Sequence, residues 1–218
     1  MFQKIVRLGL TCHQGTQNRS ASEAVHLGVW QPYRKQPCIA TDAWQKGSKG
    51  NVRAELCGLL HELCGYFKEH FLPRIEAIAR RHMPEQYAMK DIVHKRILQA
   101  KYIKKYPNYD FGGVVSMIAM KFGSSERLHV DWFDPLHLWT FLLVSGDFQG
   151  ADFQIPQCGG SVRFIPTMVL AAKTRVVLHC NTPHVGDRLG ITCFLHGPLL
   201  YGGLKSATTL CEPESLPN

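Results

Sequence analysis

Long apolar runs are what this 218-residue sequence lacks most plainly. Charge-free stretches such as Phe164 to Ala172 fall well short of the ~18 apolar residues that span a bilayer, so no membrane helix and no membrane partner are expected. Lys4 and Arg7 interrupt the apolar start, and no apolar h-region of about 7 to 15 residues follows, which argues against a secretory signal and for an intracellular protein. Paired cysteine spacings are missing as well. None of the 8 cysteines forms a CxxC pair or a zinc-finger spacing, and the chain is long enough to fold on a core, so they read as reduced thiols. Cys57 and Cys64 share one helical face as small buried hydrophobes. Acid is scarce too: 17 Asp and Glu against 25 Lys and Arg leave a formal charge of +8, which suits an anionic partner such as nucleic acid. With 45% hydrophobic and 19% charged residues, the composition excludes a disordered or fibrous chain. One large monomeric domain with elaborations at its ends is expected, and no internal repeat is present.

Residues 1–50 mix short apolar runs with Gly, Pro, Ser and Gln, a pattern of loops with one or two short strands, read as an extension packed on the core. Residues 51–106 read as helical support. From Val52, the positions Leu56, Leu59, Leu60, Leu63, Tyr66, Phe67 and Phe71 recur at the spacing of one helical face, with a bend near Pro73. A second helix is expected over about 85–105. It is the most basic segment, and Lys101, Lys104 and Lys105 are its candidates for contact with a nucleic-acid backbone, against the alternative of a solvated helix face.

After Pro107 the character changes to short β-rich runs separated by Gly, Pro, Asn and Asp. Strands are expected at Val114–Lys121, Leu138–Val144, Ala151–Ile155, Ser161–Ile165, Met168–Ala172, Thr174–His179 and Arg188–His196. Strands after packing helices predict an α+β fold: a double-stranded β-helix (jelly-roll or cupin-like) core over 107–202, buttressed by the N-terminal helices. Residues 203–218 read as a loose tail.

His129-Val130-Asp131 places a histidine and an aspartate on one side of an extended segment, able to grip one metal ion. The tripeptide alone is a weak signal. His179, far downstream at the end of Arg175-Val176-Val177-Leu178, can return to the same barrel mouth, and two imidazoles with one carboxylate make the facial triad of non-haem Fe(II) oxygenases. His184 competes as third ligand, but its closeness to Arg188 would crowd metal and anion anchors together, so His179 is preferred. Arg188 opens another apolar strand, where a guanidinium can hold a carboxylate by a bidentate contact. That is the group a 2-oxoglutarate cosubstrate requires, with O2 as the co-oxidant.

Three blocks carry a resemblance: His129-Val130-Asp131-Trp132-Phe133-Asp134, Gly146-Asp147-Phe148-Gln149-Gly150-Ala151-Asp152-Phe153, and His179-Cys180-Asn181-Thr182-Pro183-His184-Val185-Gly186-Asp187-Arg188. Together they resemble the fungal branch of the Tet/JBP nucleobase dioxygenases, over about residues 112–200. The resemblance implies oxidation of the methyl group of a pyrimidine, typically 5-methylcytosine, with Fe(II), 2-oxoglutarate and oxygen. It further implies that Asp134 reads the cytosine amino group, that Phe194 stacks on the flipped base, and that His196 contacts its polar edge. A base extruded from the duplex needs a ring face to lie on and edge partners to identify it. The chain departs from the family pattern at Thr167-Met168, at Gly190 where a serine is common, and at Lys121 where a neutral polar residue is common.

The expectation is therefore a dioxygenase acting on methylated bases in DNA, with RNA as the other nucleic acid to consider and the nucleus as its place of work. Two alternatives share the fold: a protein hydroxylase of the prolyl type, built on the same iron and cosubstrate residues, and a cupin-like module that holds nucleic acid without turnover.

Overall fold

The computed structural model describes residues 2–9, 24–32, 35–132 and 134–209. In chain order the elements are α1 (Phe2–Leu8), β1 (Ala24–Trp30), β2 (Cys38–Ile39), α2 (Gly50–His70), α3 (Leu72–His82), α4 (Pro84–Ala88), α5 (Lys90–Ile97), β3 (Met117–Phe122), β4 (Thr140–Gly150), β5 (Phe153–Ile155), β6 (Gly160–Val162), β7 (Val169–Ala172), β8 (Cys180–Asn181), β9 (His184–Phe194) and α6 (Gly197–Thr209). This is the expected α+β architecture.

Helix α2 buries Leu56, Leu60, Cys64 and Phe67, one face at the three-and-four spacing of a helix. It ends at Phe71, and Pro73 lies in the first turn of α3, where its missing N–H costs no hydrogen bond. The bend expected near Pro73 is thus a junction between two helices. The second expected helix, over 85–105, is not one helix. It divides into the short α4 and α5, and the chain then turns from Leu98 to Tyr106, with Tyr102 in the left-handed region at φ 69°. The cause is tertiary: Lys101 makes a parallel bridge with Cys38 of β2, and Ala100 and Ile103 are pulled into the core. Lys101, Lys104 and Lys105 stay exposed.

Six strands form an antiparallel sheet in the order β2-β1-β3-β9-β4-β7, and three short ones form a second sheet, β6-β5-β8. Alternation along the strands gives each sheet two faces. Val25, Leu27, Val29, Ile118, Phe141, Leu143 and Cys193 face the helices and make the main core with Leu56, Leu60 and Phe67. Between the two sheets lies a smaller core of Val144, Phe153, Phe164 and Ala172. The helices therefore cover one face of the large sheet, and the inter-sheet space holds the site.

Three elements differ from expectation. Strand β1 is built into the large sheet beside β3, although the first 50 residues read as an extension packed on it. Thr174–His179 is not a strand: the Val176 and Val177 N–H groups both return to the Lys173 carbonyl, a turn that brings His179 back into register. Residues 203–209 continue α6 rather than starting a loose tail, because Gly203 packs against Ile92 of α5, where a Cβ would lie 3.2 Å from its Cγ2. Residues 210–218 lie outside the described residues. No helix among the described residues is long and apolar enough to cross a membrane. Cys38, Cys57, Cys64, Cys158, Cys180 and Cys193 are free thiols.

Candidate metal centre

His129 and His179 face each other as an antiparallel ladder pair: the His129 N–H donates to the His179 carbonyl at 3.0 Å, and the His179 N–H donates back at 2.9 Å. The Asp131 N–H donates to the Thr174 carbonyl at 2.9 Å. Backbone pairing between two remote segments thus aligns all three side chains. One ligand atom from each of His129, Asp131 and His179 lies within 4.8 Å of the others, and this is the group of metal-ligating side chains found among the described residues. The His129 Nε2 is 3.9 Å from Asp131 Oδ1, and the His179 Nε2 is 3.8 Å from Asp131 Oδ2.

The ring tautomers are fixed by carbonyls, which can only accept. His129 Nδ1 donates to the Arg127 carbonyl at 2.7 Å and His179 Nδ1 to the Val177 carbonyl at 3.0 Å. In the neutral rings each Nε2 then carries the lone pair that a metal needs. Phe153 stacks on the His179 ring at 5.3 Å and holds its plane. His184 is not part of the cluster. Its Nδ1 bonds to Ser124 Oγ at 2.9 Å and lies 3.7 Å from Glu126 Oε1.

A cavity leads from His129 and His179 to Arg188, lined also by Lys121, Ser125, Asn181, Gly190 and Thr192. Arg188 is buried at 7% exposure. Its Nη1 donates to the Gly123 carbonyl at 2.7 Å, while its Nε is buried without a protein partner. Burial pushes its pKa down to about 10, so the side chain remains cationic at neutral pH. Two imidazoles and a carboxylate suit Fe(II), and a buried cation with an unpartnered N–H suits a carboxylate ligand in the same cavity. The residues fit both groups.

The residues expected at the base, Asp134, Phe194 and His196, are not among those lining this cavity. Asp134 Oδ2 accepts from the hydroxyls of Thr140 at 2.8 Å and Thr174 at 2.9 Å, which ties the turn after Asp131 to β4. Phe194 ends β9 on the face shared with Thr192 and meets the edge of His26 at 6.5 Å. His196 is fixed by its Nδ1, which accepts the Gln31 N–H at 3.2 Å, and its ring lies 6.1 Å from Trp30. Sequence reasoning missed His26 and Trp30, because alternation on β1 was not recognised: His26 and Trp30 point to the face opposite Val25, Leu27 and Val29. It also missed Trp132, 66% exposed beside Asp131, with the Arg175 guanidinium 4.3 Å above its ring.

Burial, aided by the charge of His26, pushes the His196 pKa down to about 4. Acidification therefore protonates the unfolded chain first, near pH 6.5, and stability is lost as pH falls from there toward 4. Between pH 7 and 4.5 this residue should account for about 2–3 kcal/mol of lost stability. Urea unfolding of the parent and of His196→Gln at the two pH values checks it; equal pH dependence in both would refute it.

No family model matches the chain, and no curated protein matches it. Solved structures do. NgTET1 in complex with 5mC DNA aligns over 89% of this chain and 71% of its own, with TM-score 0.54 and 14% identity. An oxidoreductase of the 2OG-Fe(II) oxygenase family from Burkholderia pseudomallei aligns over 88% of this chain and 75% of its own, with TM-score 0.38 and 11% identity. OsALKBH1 aligns over 88% of both chains, with TM-score 0.40 and 13% identity. The fold is thus an α+β double-stranded β-helix similar to that of the NgTET1 structure, and its His-X-Asp and distant His form a cluster that could hold a metal ion.

Proposed function

We propose that the protein is an Fe(II)- and 2-oxoglutarate-dependent dioxygenase that oxidises the methyl group of a methylated base in DNA, 5-methylcytosine first among them. The observation that carries this reading is the His129, Asp131 and His179 cluster at one end of a cavity that also contains the buried cation Arg188. When bound, iron and cosubstrate supply the oxidising chemistry, and no protein acid or base is called for. His129, Asp131 and His179 would hold the metal. Arg188 would orient the cosubstrate, and Phe153 and Phe164 give the cavity an apolar wall.

Several observations support a nucleobase as substrate. Phe194 offers a ring at the metal end of β9, and His196, held neutral by burial with Nδ1 as acceptor, presents Nε2–H as a donor. The residue pattern from His129 to His196 supports a place near the Tet/JBP enzymes. The likeness of fold to a structure solved with 5mC DNA agrees with this. The basic stretch sits at the same end of the sheet: Lys101 bridges Cys38, Cys38 pairs with Trp30, and Trp30 lies against His196. Lys101, Lys104 and Lys105 there supply charge for the phosphate backbone. A DNA substrate places the work of the enzyme in the nucleus.

Nucleoside mass spectrometry on paired oligonucleotides carrying 5-methylcytosine or thymine tests the reading. The parent should convert 5-methylcytosine to its hydroxymethyl form. Phe194→Ala should lower productive binding by roughly 5- to 150-fold, since base stacking on an aromatic contributes ~1–3 kcal/mol. Asp134→Ala should narrow the gap between the two bases, because a carboxylate accepts from the cytosine amino group and not from the thymine carbonyl. Succinate formation with no oxidised base would leave the oxygenase and remove the base substrate, in favour of a protein hydroxylase.

A further inference from the structure

We infer that Lys121 is a second anchor for the distal carboxylate of the cosubstrate, acting beside Arg188; the inference rests on the oxygenase reading above. Strands β3 and β9 run antiparallel with Lys121 opposite Gly190 and Phe122 opposite Leu189. The Gly123 N–H donates to the Arg188 carbonyl at 2.8 Å and continues the same register. Lys121 and Arg188 are thus diagonal cross-strand neighbours on one face, within reach of long side chains meeting over a common point. Both line the cavity that runs to His129 and His179.

Gly190 makes this arrangement possible. A Cβ there would lie 3.1 Å from Arg188 Nη1, so a larger residue would press on the guanidinium. With no side chain at 190, the polar side chain that β9 cannot offer at this position comes from the opposite strand. The Lys121 Nζ donates to Ser125 Oγ at 3.2 Å, which holds the half-buried ammonium at the cavity wall. The described residues lining the cavity include Lys121 and Arg188 and no Asp or Glu. Two cations side by side on one cavity wall suit an anion that carries charge at its far end. Arg188 already gives Nη1 to the Gly123 carbonyl, so a second donor completes the ring of hydrogen bonds that a carboxylate accepts.

The two acids that separate the possibilities are 2-oxoglutarate and 2-oxopentanoate, which share the keto acid end and differ in the distal carboxylate. Their affinities are measured by calorimetry on the metal-loaded protein without oxygen, so that binding is read rather than turnover. Lys121→Met should weaken 2-oxoglutarate by about 10- to 100-fold, the usual effect of losing one charge-assisted hydrogen bond, and leave 2-oxopentanoate within about twofold. Lys121→Arg should recover most of the loss. Unchanged 2-oxoglutarate affinity in Lys121→Met, alongside a large loss in Arg188→Ala, overturns the inference and keeps the oxygenase reading. Equal losses for both acids also overturn it, since that would make Lys121 a structural residue. A parent protein that binds neither acid overturns the inference and the reading together.

Discussion

Alanine at position 179 should strip the protein of iron. His179 contributes one of three ligand atoms of the metal-ligating cluster found among the described residues, and its ring is already fixed by the Val177 carbonyl and by Phe153. Loss of an outer-shell partner of a metal typically costs 10–100-fold in affinity or activity, and loss of a ligand from a three-residue set should exceed about 100-fold. His184→Ala should retain iron and turnover, because His184 is occupied with Ser124 and Glu126. Iron content after anaerobic loading, together with succinate release, reads both outcomes. Iron and activity retained in His179→Ala but lost in His184→Ala would move the third ligand to the other histidine.

Arg188→Ala should abolish tight binding of 2-oxoglutarate while iron stays in place. Truncating one partner of a buried, hydrogen-bonded charge pair costs about 2–5 kcal/mol, which is a factor of roughly 30 or more in the cosubstrate requirement. Lysine should rescue poorly, since a point charge does not reproduce the guanidinium fork. The ligand-free protein should respond in the opposite sense. Desolvation that lowers the Arg188 pKa from 12.5 to about 10 opposes folding by about 3 kcal/mol in order of magnitude while the group is charged. Removing that buried charge should leave the apo protein at least as stable as the parent, with Arg188→Met the better test because it keeps more of the volume. Thermal unfolding with and without 2-oxoglutarate checks both halves. A variant that is unstable without ligand, yet binds 2-oxoglutarate normally, would make Arg188 a structural residue.

The metal triad was legible because its chemistry is encoded in order and alternation: His129 and Asp131 flank one residue, and His179 closes a β-rich run. The route by which His179 arrives was not legible. Thr174–His179 is rich in β-branched residues, but the Lys173 carbonyl captures two successive N–H groups and makes a turn, a choice set by the partner strand rather than by propensity. The helix expected over 85–105 failed for a related reason. Basic residues along that segment report solvent exposure, while the bridge between Lys101 and Cys38 that breaks the helix depends on a strand from the first 50 residues. Strand β1 itself was obscured because His26 and Trp30 face the side opposite Val25, Leu27 and Val29 and interrupt their apolar pattern. The roles of Asp134 and Lys121 depend on what lies across from them. Thr140 and Thr174 in the one case, and Gly190 in the other, are remote in sequence and are brought together only by the sheet.

The bridge between His129 and His179 lies outside the named strands and leads directly into β8, so retention of a metal ion there would depend on the integrity of a very small sheet. Its strands β5, β6 and β8 are two or three residues long, so this layer belongs to the least protected part of the fold. Opening the pair at either residue separates both imidazoles in one event, so the iron would be released by local unfolding rather than by stepwise ligand exchange. Conversely, an ion held by both rings would cross-link the segment around His129 to the start of β8. Holding the thin sheet closed is then a second task for the metal, and the lifetime of the bound ion becomes a measure of how often that layer breathes.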